Sequence, residues 1–259
     1  MSQNKFAIVS AVGDNSLHPT WLDGTKSFDL ILIYFGDDSK VAQDYAKDAD
    51  LLIRAKGQKL HMIERLVREN KLNIEGYEYV WFMDDDILID PAAIHEFFRL
   101  SAKYSALISQ PAVVGFTSHR ITKPSPKRLS LARATTFVEV MAPCFSAKAL
   151  SKCLKSFGEE ESSYGVDYMW FGILGKPERG LLIFDAVTME HTQPVNSIAR
   201  FPNAMSNMER LLNKYGIKKD KRNIGYLVRP GIWIPNNLGK FYRFCLNLNR
   251  MVSRKIPDV

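Results

Sequence analysis

"YVWFMDDDILIDP", residues 79–91, decides the reading of this chain. Five large apolar residues run into Asp84, Asp85 and Asp86, and apolar sequence resumes at Ile87. A run that is apolar on both faces is the pattern of a central strand covered by helices above and below. In such α/β sheets, ligands gather beyond the carboxyl ends of the strands. A strand's period of two places Asp84 and Asp86 on one side. Two unit charges about 4 Å apart repel by ~1 kcal/mol in water, and several-fold more at an effective dielectric of ~20. A divalent hard cation removes that repulsion. Carboxylate oxygens suit Mg²⁺ or Mn²⁺, and Mg²⁺ held this way commonly completes its shell with substrate phosphates. The stretch therefore points to a metal and a diphosphate. The simpler alternative is a solvated acidic turn, with Asp90 capping a helix that starts at Pro91.

Outward from this strand, the chain alternates strand and helix signals. "KFAIVSAV" and "FDLILIYF" are short, β-branched apolar runs closed by Gly13-Asp14 and Gly36-Asp37-Asp38. "GQKLHMIERLVREN" (57–70) sets Leu60, Ile63, Leu66 and Val67 on one helical stripe. "TFVEVMAP" (136–143) reads as a strand, and Ser146 opens a helix stopped by Gly158. "YGVDYMWFGILG" (164–175) reads as a helix and "GLLIFDAVTMEH" (180–191) as a strand. This alternation predicts an α/β layered domain. The polar "HRITKPSPKRLS" (119–130) reads as a long exposed loop near a site. After about residue 200 the texture changes. One helix through Met205, Met208, Leu211 and Leu212 ends at Gly216, and the last, "KFYRFCLNLNRMVSRK", is basic and amphipathic.

Bulk properties narrow the function classes. A chain of 259 residues is long enough to bury a full core, and its 46% hydrophobic content excludes a disordered or coiled-coil protein. Cys144, Cys153 and Cys245 have no CxxC spacing and are odd in number, which argues for reduced apolar residues. No run reaches the ~18 apolar residues of a membrane span, and "KFAIVSAVG" suits a strand better than a signal peptide. The net charge of +7 is uneven. Residues 210–255 hold twelve Lys/Arg against Asp220 alone, so that segment carries +11 and the rest −4. A nucleic-acid binder spreads charge over its working face, so no nucleic-acid partner is expected.

The ordered motifs resemble a known group. "FMDDDILIDP" is similar to the Asp-x-Asp segment of GT-A fold glycosyltransferases, with strand, acidic triplet and helix in the same order. "AKGQKL" (55–60), "ISQPAV" (108–113), "HRIT" (119–122), "FVEVMAP" (137–143), "YGVD" (164–167) and "FDAVTMEHTQPV" (184–195) resemble, in that order, the glycosyltransferase-like family called domain of unknown function 707. The resemblance covers residues 55–195, and Asp85 replaces the glutamate usual in that family's triplet. It implies that Asp84 faces the ribose and metal side of a nucleotide-sugar and that Asp86 chelates the metal. Asp85 is then a donor contact. It also implies that Asp167, at a helix start, is the base of an inverting transfer. Without the family, a helix N-terminal Asp favoured by the dipole explains Asp167.

Other candidates have competing explanations. His191 ends the last core strand, where it completes a metal site with Asp84 and Asp86 or pairs with Glu190. Lys56 precedes a helix and meets a donor diphosphate or is an ordinary surface lysine. Asp37 and Asp38 contact nucleotide or cap a turn. Glu139 is a charge in an apolar run, an acceptor contact or half of an internal ion pair. Glu159, Glu160 and Glu161 are weaker rivals to Asp167. The basic C-terminal helix lies on anionic lipid or docks on the body.

Together these readings predict a GT-A-like, mostly parallel α/β sheet over residues 1–200 with a basic helical appendage over 201–259. The expected function is Mn²⁺- or Mg²⁺-dependent transfer of a sugar from a UDP- or GDP-sugar to a glycan or lipid-linked acceptor. The expected setting is cell-surface glycan synthesis, in the cytoplasm or peripheral on the inner face of the membrane. A nucleotidyltransferase is the first alternative, although "SAVGDNSLHP" (10–19) lacks a Gly-rich basic loop. A non-catalytic carbohydrate- or partner-binding domain is the second.

Overall fold

In a computed structural model, which describes residues 4–127, 129–194, 201–229 and 231–236, the chain builds one mixed sheet of eleven strands flanked by helices. Its first half is parallel. β1 (Phe6–Val12) lies between β2 (Asp29–Tyr34) and β4 (Tyr79–Asp84), and β2 carries β3 (Leu51–Arg54) at the edge. Beyond β4 come β8 (Cys144–Ser146), antiparallel, then β6 (Ile108–Gly115) paired in parallel with β9 (Leu181–His191). β7 (Ser130–Thr135) closes on β9 antiparallel, so parallel pairing is confined to two blocks.

The strand quoted first is central, as its composition requires. Val80 and Phe82 point into one helical layer, and Trp81 and Met83 into the other. On the first face pack α2 (Lys59–Arg68), α4 (Ala147–Cys153) and α5 (Val166–Ile173), through residues such as Leu60, Ile63, Leu150 and Trp170. On the other, α3 (Pro91–Lys103) buries Ile94, Phe97 and Phe98 against Trp81. Burying each such side chain contributes roughly 1.5–3 kcal/mol. Asp90 caps α3 by accepting from the Ala92 N–H at 2.8 Å, with Pro91 in its first turn. Asp38 likewise caps α1 (Ser39–Asp48), accepting from the N–H groups of Lys40 and Val41. The turn reading of Asp38 is thus realised.

Two stretches differ from expectation. "TFVEVMAP" is not a strand. The ladder strand is β7, just before it, and residues 136–143 cross the end of the sheet with Phe137, Val138 and Ala142 buried. Their backbone groups find isolated partners: Glu139 N–H donates to Gln110 Oε1, and the carbonyls of Met141 and Pro143 accept from Asp84 and Phe82. Burial on all sides gave the run a strand-like composition without a strand neighbour. After residue 200, α6 (Ala204–Lys214) forms as its periodicity predicts. Two strands follow, β10 (Asn223–Val228) and β11 (Ile232–Pro235), and extend the sheet through β7. The final basic helix, with Cys245, lies outside the described residues. Among the described residues, no helix is long and apolar enough to cross a membrane.

Candidate active site

The acidic triplet sits where β4 ends. Asp84 is its last residue, and Asp85 and Asp86 turn the chain into the two-residue β5 (Ile87–Leu88). β5 pairs antiparallel with the end of β9, placing Ile87 opposite His191. Thr192 locks the junction, its N–H and hydroxyl both donating to the Asp86 carbonyl at 3.1 and 2.9 Å. Ligand atoms of Asp84, Asp86 and His191 consequently lie within 4.8 Å of one another. The sequence reading of these three as one cluster is what the backbone produces.

Gly115 makes this approach possible. It lies opposite His191 in the β6–β9 ladder with φ +76°, and a Cβ there would stand 2.5 Å from the His191 carbonyl oxygen. Only glycine fits both the backbone region and the space.

The histidine's orientation is fixed. Its Nδ1 is 2.6 Å from the Phe116 carbonyl oxygen, which can only accept, so Nδ1 carries the proton. Nε2 is left facing Asp86 Oδ2 at 3.2 Å. Burial acts to lower the His191 pKa, but the hydrogen bond and charge of Asp86 outweigh it and raise the value. A carbonyl holding the far nitrogen of an imidazole is the usual outer support of a metal-binding histidine. Asp86 Oδ1 is buried without a hydrogen-bond partner. A partnerless buried carboxylate oxygen beside an oriented imidazole nitrogen and a second carboxylate is a donor set that fits Mn²⁺ or Mg²⁺.

Asp84 is held differently. It follows Val80 and Phe82 on the α2 face, so Lys59, in the first turn of α2, reaches its Oδ1 at 2.6 Å. Lys59 Nζ also donates to the carbonyls of Val140 and Met141 at 2.8 and 2.7 Å. Burial raises the Asp84 pKa, and the Lys59 charge opposes the rise. Asp84 keeps about a third of its side chain exposed, on the cleft side, while protein surrounds it elsewhere. Asp85 turns to β1: its Oδ2 accepts from the Gly13 N–H at 2.7 Å and its carbonyl from Leu17. Burial lifts Asp85 to about 6, with the neighbouring carboxylates adding to the rise.

The triplet opens onto a cleft of about 620 Å³. Its walls include Lys56, Lys59, Glu139, Ser163, Tyr164 and His191. Lys56 lines it, but its ammonium is directed to Asp37 at 2.7 Å and to the Phe35 carbonyl. Lys59, in the same "AKGQKL" run, is the lysine that reaches the triplet. Its signal was position: the first turn of a helix that follows β3 and packs beside the β4 end.

Glu139 is 5% exposed and accepts from the hydroxyls of Thr117 and Thr122 at 3.1 and 3.2 Å. His119 Nε2 stands 3.8 Å away, and its Nδ1 meets Lys221 Nζ at 2.7 Å. Burial pushes Glu139 up to about 7 and holds His119 down at about 4, so the imidazole is neutral. Asp167, in the first turn of α5, is 5% exposed, and its Oδ1 has no partner. Burial first, then the charge of Glu139, pushes Asp167 up to about 7, against the pull of Lys221. Two acids thus sit close enough to feel each other, and of the two it is Glu139 that lines the cleft. Glu159 is engaged by Lys214 and Tyr215, and Glu160 by Ser162 and Asn207. His95 bonds Ser27 at 2.6 Å.

Comparison with solved structures settles the fold. TarS of S. aureus, residues 1–349 in complex with UDP, superposes with a TM-score of 0.53 at 12% identity. The match covers 80% of this chain and 65% of that one. GalNAc-T7 with UDP, GalNAc and Mn²⁺ gives 0.58 at 8% identity, over 80% of this chain and 48% of that one. This chain has the GT-A glycosyltransferase fold. It spans about two thirds or less of the length of these neighbours. No protein-family model and no curated protein sequence matches it.

Proposed function

We propose that this chain is a metal-dependent glycosyltransferase that takes its sugar from a UDP-sugar or GDP-sugar. The observation that carries the proposal is the convergence of Asp84, Asp86 and the oriented Nε2 of His191 at the carboxyl end of the central strand, beside a cleft of nucleotide-sugar size. A nucleotidyltransferase lacks support from the loop after β1, which offers Gly13 N–H to Asp85 and contains no Lys or Arg.

Asp84, Asp86 and His191 would hold the cation, which when bound stabilises the charge developing on a leaving diphosphate. Lys59 holds the Asp84 carboxyl in place, and its charge opposes the rise in pKa that burial causes. The Phe116 carbonyl fixes His191 in one tautomer, and Asp85 ties the turn to the loop after β1. The proton of the acceptor hydroxyl is taken within the Glu139–Asp167 pair. Carboxyls near 7 are matched to that task at neutral pH. Asp167 is the base in this proposal, with inversion as its consequence: Glu139, which lines the cleft, contacts the acceptor, takes the hydroxyl proton as the oxygen attacks, and hands it on to the Asp167 carboxylate. Membership of the domain of unknown function 707 family, a glycan or lipid-linked acceptor at the cell surface and peripheral membrane contact through the basic tail belong to the same proposal.

The test is thermal denaturation with UDP, GDP and their absence, each with Mn²⁺ and with EDTA. A rise in Tm that needs both nucleoside diphosphate and Mn²⁺, and disappears in Asp86→Ala, supports it. Stabilisation by nucleoside triphosphates with no response to diphosphates overturns it.

A further inference from the structure

The donor cleft is acidic, but a second and larger concavity of about 910 Å³ shares none of its lining. It lies between the end of α4, α5 and the chain leaving α6, and five cationic side chains face two acidic ones across it. Both acids are already engaged. Glu159 bonds Lys214 at 2.8 Å and the Tyr215 hydroxyl at 2.7 Å, and Asp220 lies 3.5 Å from Arg222. Among the described residues, Lys152, Lys155, Lys176 and Lys218 have no acid within ion-pair distance. Like charges gathered around one hollow without counter-charges repel, and an anionic ligand relieves that repulsion.

The floor says which anion. Tyr168, Phe171 and Ile173 of α5 present ring and aliphatic surface between the lysines, and Gly172 leaves open space among them. Apolar surface between separated cations suits a molecule with C–H faces and spaced negative groups. Membrane binding calls instead for an exposed apolar stripe lying on a plane, and nucleic acid for a basic stripe along a face. The volume falls within the roughly 300–1,000 Å³ of small-ligand sites. The groove also backs onto the reaction centre. Tyr168 follows Asp167 directly, packs on Phe137 at 5.2 Å between ring centroids, and shares Lys221 with it.

We propose that this groove binds an anionic oligosaccharide, with phosphate or carboxylate groups held by Lys152, Lys155, Lys176 and Lys218. That this oligosaccharide is the acceptor, led over α5 toward Glu139 and Asp167, rests on the transferase reading above.

The experiment uses fluorescently labelled tetragalacturonate and phosphorylated maltotetraose, with neutral maltotetraose as control, titrated against the whole chain at low and high salt. Binding of the charged probes and not the neutral one, weakened by salt, is the expected result. Which charged probe binds more tightly tells carboxylate from phosphate. Lys152→Glu/Lys176→Glu and Lys155→Glu/Lys218→Glu are each expected to weaken binding by about tenfold or more, since each removes two partly exposed ion pairs. Lys103→Glu/Lys148→Glu, equal in charge but outside the groove, should change it little. Equal losses in both sets would overturn the proposal, as would tighter binding of a single-stranded oligonucleotide or of phosphatidylglycerol vesicles. The UDP and Mn²⁺ thermal response of the groove variants separates the two readings. If it persists while no charged sugar binds, the groove proposal falls alone. If charged sugars bind and no nucleotide response exists, the transferase reading falls.

Discussion

Replacing Asp167 by Asn should stabilise the protein, and only at neutral and alkaline pH. Asp167 is buried, one of its oxygens has no partner, and its pKa is pushed from the usual 3.8 to about 7. The sign follows from proton counting. Between 3.8 and about 7 the folded state holds a proton that the unfolded state has released, so stability falls as pH rises through this window. Below the window the group costs nothing by this route, and above it the cost is constant. A rise of about three pKa units corresponds to roughly 4 kcal/mol at pH 8. This is an upper bound, because part of the rise is repulsion from Glu139 and belongs to the pair. Asn keeps the shape and removes the titration. For a chain of this size, about 4 kcal/mol moves Tm by on the order of 10 °C. Scanning calorimetry of both proteins from pH 5 to pH 8 measures it. The gap between variant and wild type should widen steadily with pH, and Glu139→Gln should narrow it non-additively. An offset equal at pH 5 and pH 8, or a variant less stable at pH 8, would refute the reasoning.

Other outcomes follow from the site. His191→Ala should weaken Mn²⁺ binding by at least about tenfold, read by isothermal titration, while leaving the carboxylates in place. Lys59→Met strands Asp84 and the carbonyls of Val140 and Met141; urea denaturation should show a loss of about 3 kcal/mol, the low end for a broken buried pair because Asp84 keeps solvent contact. Gly115→Ala forces a Cβ against the His191 carbonyl, so both stability and Mn²⁺ affinity should drop together, whereas Gly175→Ala, with open space around it, should leave Mn²⁺ affinity unchanged.

The central strand, its acidic end and the helices on either side were legible because each had its own periodicity and cap. Asp84 follows from its place at the end of the apolar strand and His191 from its place at the end of another long apolar run, whereas Asp86 joins them through the turn after β4 and not through a strand's period of two. Lys59 was not legible as a partner of Asp84, because only packing of α2 on β4 brings the two together. β3 escaped notice as four half-exposed residues on a sheet edge. β10 was hidden by Gly225 and by the basic residues before it. Glu139 looked like a charge within a strand, and its real setting is a buried crossover whose neighbours come from four separate segments. Such neighbourhoods are set by topology, which local patterning does not encode.

The pairing of β5 with β9 has a consequence for how the protein matures. The two carboxylates leave the ribosome about a hundred residues ahead of the imidazole that joins them, and the two-residue ladder with the Thr192 bonds to Asp86 sets the distance between them. Nascent or truncated chains ending before β9 therefore carry the acidic turn without the imidazole that completes the proposed site. If the proposed metal site is right, Mn²⁺ uptake followed during refolding times the moment when the last inner strand seats.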